Sequence, residues 1–285
     1  MTKKLTDKFK SVLGKSFDDA DRENDRTLKI AAKNNESLNI DIPESNSILI
    51  ATPMYGGMCT GHYTIAIMNS IDTLKKLKVE TLLASVMNES LIPRARNELV
   101  RLFLEQTKCS HLMFVDSDMY FDKEAIATLY KANKDIACGI YPKKEIDWNR
   151  ILSASKKGKT DLENHASSFV LNLPHGVEKA EPDEDGWLEV RHGGTGFMLI
   201  KREVFEKLAS KVPEYRASTK KNKEGKFTKP LTRQYFDTSI DETGCLLSED
   251  YHFCNVWRKH GGKVFANVNI KFNHIGTQIF GGKIQ

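Results

Sequence analysis

The chain has 285 residues, 40% of them hydrophobic and 28% charged, with a formal net charge of +5 at pH 7. That length supports one large α/β domain or two small ones, and the mild basicity permits a polyanionic partner without requiring one. No apolar run approaches the roughly 20 residues that cross a bilayer, and the N-terminus, MTKKLTDKFKSVLGKSF, lacks the apolar core and cleavage site of a signal peptide. A cytoplasmic protein with no membrane partner is expected. Cys59, Cys109, Cys138, Cys245 and Cys254 are scattered without a C-x-x-C spacing, so reduced thiols and no cysteine-based zinc site are expected.

Residues 1–46 are polar and charge-rich. LTDKFKSVLGKSF places Leu5, Phe9 and Leu13 on one helical face, and a tether follows. The pattern changes at SILIATP, an apolar run closed by proline, which predicts a buried strand. MYGGMCTG is a glycine-rich loop, HYTIAIMNSIDTLKKL has helical spacing and VETLLASVM predicts a second strand. ESLIPRARNELVRLFLEQT starts a helix near Pro93. SHLMFVDSD is a third strand, KEAIATLYKAN a helix capped by Asp122, and DIACGIYP a fourth strand. Residues 143–190 are irregular. WLEVRHGGTGFMLIKREVFEKL predicts a strand pair leading into a helix. Residues 211–233 hold eight Lys or Arg against two Glu and are expected to form an exposed loop. LLSEDYHFCNVWRKHGG feeds a helix that stops at Gly261 and Gly262. KVFANVNIKFNHIG is a last strand. Strands alternating with helices imply an α/β fold with a mixed, mostly parallel central sheet flanked by helices. Ligands of such sheets bind at the carboxyl ends of the strands, where TP, DSD and YP all lie.

The DSD at 116–118 follows four apolar residues. Side chains at i and i+2 of an extended chain share a face, so Asp116 and Asp118 address one point if the strand geometry persists. Two carboxylates at one point repel unless a cation joins them. A hard divalent ion, Mn²⁺ or Mg²⁺, takes such oxygen ligands and keeps positions for phosphate.

Six segments in order across 48–277 resemble the GT-A fold of nucleotide-sugar glycosyltransferases, especially family 2. ILIATPMYGG is similar to that fold's first strand and base-binding loop, and RARNELV to the helix preceding its D-x-D. FVDSD is similar to the D-x-D itself and GGTGFMLIKREVF to the acceptor-side glycine segment. SEDYHFCNVWRKHGGKV is similar to the helix bearing the catalytic base, and NHIG to the C-terminal metal-ligating histidine. The resemblance implies one catalytic domain over 47–285, with a donor half at about 47–142 and an acceptor half at about 143–285. It implies that Thr52, Pro53 and Tyr55 line the base and ribose, that Arg94 and Arg96 meet the nucleotide or its diphosphate, and that Ser117 lies between the donor carboxylates. Asp116, Asp118 and His274 would hold the metal, with Asp116 also near the ribose. Gly193, Gly194 and Gly196 would let the backbone approach the donor sugar. Asp250 would be the general base of an inverting transfer from a UDP-sugar. Spacing alone does not separate Asp250 from Glu249; the family pattern places the base second.

TPMYGGMCTGHYT also resembles glycosyltransferase-like proteins of tailed bacteriophages, some of which modify hydroxymethylated pyrimidines in DNA. Double-stranded DNA is therefore one candidate acceptor, with Trp148, Trp187, Lys220 and Lys221 as candidate contacts. The competing readings are a glycan- or protein-directed glycosyltransferase, a nucleotidyltransferase, and a non-catalytic nucleic-acid-binding protein on a degenerate GT-A fold. Oligomeric state is not legible.

Overall fold

The computed structural model describes residues 46–169, 171–227 and 230–277. The helix and tether expected over 1–46 lie outside them, apart from Asn46.

The expected strands form β1 (Ser47–Met54), β2 (Glu80–Met87) and β3 (His111–Val115), linked by α1 (Gly61–Lys76) and α2 (Ile92–Gln106). Thr60 caps α1, its hydroxyl accepting from the Tyr63 amide at 3.1 Å. Pro93 sits in the first turn of α2, where its missing N–H is not needed. Next come β4 (Met119–Phe121), α3 (Ala125–Lys131), β5 (Ile136–Gly139) and α4 (Trp148–Lys156). The remainder holds β6 (Trp187–Val190), β7 (Phe197–Lys201), α5 (Arg202–Leu208), β8 (Glu214–Arg216) and β9 (Leu231–Arg233). It ends with β10 (Ser239–Ile240), β11 (Leu246–Leu247), α6 (Glu249–Lys259), β12 (Val264–Asn267) and β13 (Phe272–His274).

Seven strands form one sheet in the order β2-β1-β3-β7-β5-β12-β6. β1, β2, β3, β5 and β12 run one way; β6 and β7 run against them. The fold is thus α/β with a mixed, mostly parallel sheet, as expected. Alternation along β1 and β3 sends successive side chains to opposite faces. Leu49, Ala51, Leu112 and Phe114 pack in a core with α2, α5 and α6. Ile48, Ile50, Met113 and Val115 pack on the other face with α1 and α3. Strands from the expected donor and acceptor halves interleave, so the two halves share one sheet.

Several local expectations change. β6 and β7 do not pair with each other: β6 pairs with β12, while β7 lies between β3 and β5. The expected last strand divides into β12 and β13, and β13 pairs with β4 outside the main sheet. The basic segment 211–233 is not all loop, because β8 and β9 pair within it. Within the irregular stretch, α4 forms with only Ala154 buried, too little apolar periodicity to be read in advance. α3 begins at Ala125 with Glu124 at its N-cap and no side-chain cap bond, so Asp122 is not its cap; the Asp122 carbonyl accepts from the Ala125 amide instead. All five cysteines are free thiols. Among the described residues, no helix is long and apolar enough to cross a membrane.

Candidate active site at the carboxyl end of the sheet

The reversed direction of β7 assembles the site. Phe197 is in register with Val115, so the loop entering β7 meets the chain leaving β3. The Asp116 amide donates to the Gly196 carbonyl at 3.0 Å. β3 stops at Val115, and the Met119 amide donates to the Asp116 carbonyl at 3.1 Å, closing a turn over 116–119. The extended geometry that would aim Asp116 and Asp118 at one point therefore ends before either residue, and the two carboxylates have different partners.

Asp116 faces Arg96, whose Nη2 donates to Asp116 Oδ1 at 3.0 Å. The same guanidinium donates from Nε to Glu249 Oε1 at 3.2 Å and lies over the Phe114 ring, 5.3 Å from its centroid. Arg96 is 3% exposed and its Nη1 has no hydrogen-bond partner. One buried arginine thus ties the end of β3 to the first turn of α6. Burial pushes the Glu249 carboxyl up, Arg96 pulls it back, and neighbouring Asp250 pushes it up again. Asn97, next along α2, exchanges two bonds with Phe236: its Nδ2 donates to the carbonyl at 2.8 Å and its Oδ1 accepts from the amide at 2.9 Å.

Asp118 is held differently. Its Oδ2 pairs with Lys144 Nζ, and its Oδ1 lies 3.4 Å from His274 Nε2, buried and without a hydrogen bond. His274 Nδ1 lies 3.0 Å from the Pro142 carbonyl oxygen. A carbonyl only accepts, so Nδ1 carries a hydrogen and Nε2 is the nitrogen that faces Asp118. Burial raises the Asp118 carboxyl, but His274 and Lys144 together bring it down to about 2. β13 is brought here by its pairing with β4, and the Ile275 amide donates to the Asp118 carbonyl at 2.8 Å.

A cleft of about 360 Å³ opens beside this pair, lined among others by Tyr141, Lys144, Gly194, Asp250, Tyr251 and His274. The Gly196 amide donates to the Tyr141 hydroxyl at 3.1 Å, and a Cβ on Gly194 would meet that oxygen at 2.1 Å. A Cβ on Gly193 would meet Cys138 Sγ at 2.4 Å. Gly193, Gly194 and Gly196 thus allow the loop to lie against Cys138 and Tyr141, a packing role that the sequence reading did not include. Burial, then Asp116 and Asp250, push the Tyr141 phenol far up, so it stays a neutral donor. Asp250 Oδ1 accepts from Ser248 Oγ and, at 2.8 Å, from the Tyr251 amide. His192 stacks on Tyr251 with centroids 4.4 Å apart, and burial, then Arg191 and Arg258, bring its imidazole down to about 4.

The other predicted residues divide sharply. Thr52 is 1% exposed and its hydroxyl is 2.7 Å from the Tyr63 hydroxyl, so it belongs to the core beneath α1 and lines no open base site. Pro53 is partly buried at the end of β1, and Tyr55 beyond it is exposed. Arg94 donates from Nε and Nη2 to Glu89 at 2.6 Å each, an ion pair that engages the planar edge expected to meet a diphosphate. The Ser117 carbonyl accepts from the Thr60 amide at 2.9 Å, tying the turn to the start of α1. Trp187 is buried on β6 and offers no stacking platform, whereas Trp148 is 67% exposed at the start of α4. Lys220 and Lys221 are exposed and are not among the cleft-lining residues. Among the described residues, no group of three or more His, Cys, Asp or Glu could hold a metal ion, so Asp116 does not join Asp118 and His274. The sequence reading placed Tyr141 and Lys144 only in or beside a basic stretch, 143–159, and named neither as a site residue. Both follow β5, and the rule that ligands sit at carboxyl ends of parallel strands, applied to IYPKK, points to them.

No protein-family model matches the chain, and no curated protein matches it. Similar solved structures include A197 from STIV, 17% identical over 81% of this chain and 86% of that one, with a TM-score of 0.42. GalNAc-T7 with UDP, GalNAc and Mn²⁺ is 9% identical over 82% of this chain and 43% of that one, at 0.40. The inositol-1-phosphate CTP transferase from T. maritima is 10% identical over 82% and 90%, at 0.37. All three TM-scores fall below 0.5, so the chemistry of the site rests on its own residues.

Proposed function

We propose that this chain is a metal-dependent glycosyltransferase that moves a sugar from a nucleotide-sugar, with UDP as the preferred nucleotide, to an acceptor hydroxyl with inversion. The observation that carries the reading is the meeting of Asp250 and His274, with Asp118 behind it, at one cleft beyond the carboxyl ends of β3 and β5. The ordered motifs that resemble the GT-A family fall on these same segments.

The donor set fits a hard divalent cation. Asp118 Oδ1 is a buried oxygen without a hydrogen bond, and His274 Nε2 lies 3.4 Å from it, its opposite nitrogen fixed by a carbonyl. Asp118 and His274 would hold Mn²⁺ or Mg²⁺, which when bound supplies Lewis-acid stabilisation of charge on a leaving diphosphate. Asp250 accepts the proton of the acceptor hydroxyl as the new bond to the anomeric carbon forms. Geometry supports Asp250 over Glu249 for this role: Asp250 lines the cleft, while the Glu249 carboxylate is engaged by Arg96. Lys143 and Lys144 supply cationic contacts at the cleft mouth.

A panel of UDP-sugars with Mn²⁺, assayed for UDP release and for transfer to hydroxymethylated DNA, glycans and peptides, tests the reading. Asp250→Asn is expected to keep UDP binding and lower transfer by about 10²-fold or more. Release of pyrophosphate from a nucleoside triphosphate, with no sugar transfer, would instead establish a nucleotidyltransferase.

A further inference from the structure

Lys144 raises a problem for any cation at Asp118, because that carboxylate already has one. Its ammonium sits on Oδ2, on the same carboxyl group whose Oδ1 faces His274. The two interactions share a mount. Pro142, whose carbonyl orients His274, and Lys144 lie two residues apart in the segment leaving β5. That segment is fixed by the Lys143 amide donating to the Ser168 carbonyl at 2.9 Å and by the bridge between Pro142 and Phe169. The lysine stem lies along the C-terminal segment, close enough that a Cβ on Gly276 would be 3.1 Å from Lys144 Cδ. Yet the side chain is 39% exposed and borders the cleft, so the ammonium can leave without disturbing the core.

We propose that Lys144 is the resident counter-ion of Asp118, competing with a divalent cation for that carboxylate and passing to the diphosphate when cation and nucleotide enter together. The inference rests on reading Asp118 and His274 as a metal pair. A carboxylate neutralised by an ammonium attracts a second cation weakly, and two cations on one half-buried carboxylate repel. An incoming diphosphate would reverse the balance, because it would offer the lysine another anionic acceptor and would itself bind the cation. Cation and diphosphate then bind with positive coupling, which by linkage each confers on the other equally. The protein would avoid holding free metal and become competent only with metal-loaded donor.

The test titrates MnCl₂ into the full chain, wild type and Lys144→Met, following free Mn²⁺ by electron paramagnetic resonance with and without UDP. Without UDP, Lys144→Met is expected to bind Mn²⁺ about tenfold more tightly, roughly 1.4 kcal/mol. With UDP, the wild type is expected to gain more Mn²⁺ affinity than the variant does. Asp118→Asn, close in shape, is expected to lose the Mn²⁺ site. Unchanged or weaker Mn²⁺ binding by Lys144→Met, with the site still lost in Asp118→Asn, overturns the counter-ion role and leaves the metal pair standing. Absence of any Asp118-dependent Mn²⁺ binding in all three proteins overturns the metal pair and this proposal with it.

Discussion

Arg96 offers the sharpest test of how the site is held together. Its guanidinium is 3% exposed and serves two carboxylates, Glu249 with a side chain 14% exposed and Asp116 at 32%. Arg96→Met keeps an unbranched stem over Phe114 and removes the charge. Breaking a buried ion pair by deleting one partner costs about 3–5 kcal/mol, because the other charge is left without compensation. Asp116 retains some water, so the lower end, about 3 kcal/mol near pH 7, is expected. The loss should depend on pH in a defined direction. Glu249 already sits above its usual value of 4.5 because it is buried, and without Arg96 it rises further. A carboxyl raised in the folded state imposes no penalty below its unfolded pKa and its full penalty above its folded pKa. The deficit of Arg96→Met should therefore shrink between neutral pH and about pH 4, where Glu249 is protonated in both states. Urea unfolding followed by circular dichroism, comparing midpoints at fixed slope, measures this. Wild-type stability in the variant at neutral pH would refute the bridge. An equal loss at both pH values would assign the effect to packing on Phe114 and refute the electrostatic account.

Gly194→Ala places a Cβ against the Tyr141 hydroxyl, so a loss of about 1–3 kcal/mol is expected, partly relieved by adding Tyr141→Phe; a neutral effect in thermal unfolding would show that the loop is free to move. Trp187→Ala should cost about 3–5 kcal/mol and Trp148→Ala within about 0.5 kcal/mol, since one is buried and the other exposed; equal shifts in Tm would contradict this. His111 is buried beside Lys201, and its imidazole is brought down from 6.5 to about 4, by burial first. A histidine lowered in the folded state by burial imposes no penalty above its unfolded pKa and a growing one as pH falls from about 6.5 to about 4, some 3 kcal/mol in all. His111→Gln should flatten the stability profile over that window, and an unaltered slope would refute the assignment.

What could be read from sequence was local and periodic. Apolar runs closed by TP, DSD and YP identified β1, β3 and β5 and the edge on which chemistry would collect, because burial on both faces leaves a continuous apolar signature. The carboxylate of Asp118 stood at the end of such a run, whereas Asp250 and His274 were singled out only through the resemblance to the GT-A family. Long-range pairing was not. Nothing in the order of residues 187–201 says that β7 inserts between β3 and β5 while β6 joins β12, yet that insertion brings Gly196 to Asp116. Charge partners were hidden for the same reason. Arg96 and Glu249 are 153 positions apart, so helix placement rather than spacing turned one acid toward a buried arginine and left its neighbour at the cleft. The D-x-D pair read as addressing one point because period two was carried past the end of β3. A turn at 116–119 separates them, and only the folded chain gives Asp116 an arginine and Asp118 a histidine and a lysine.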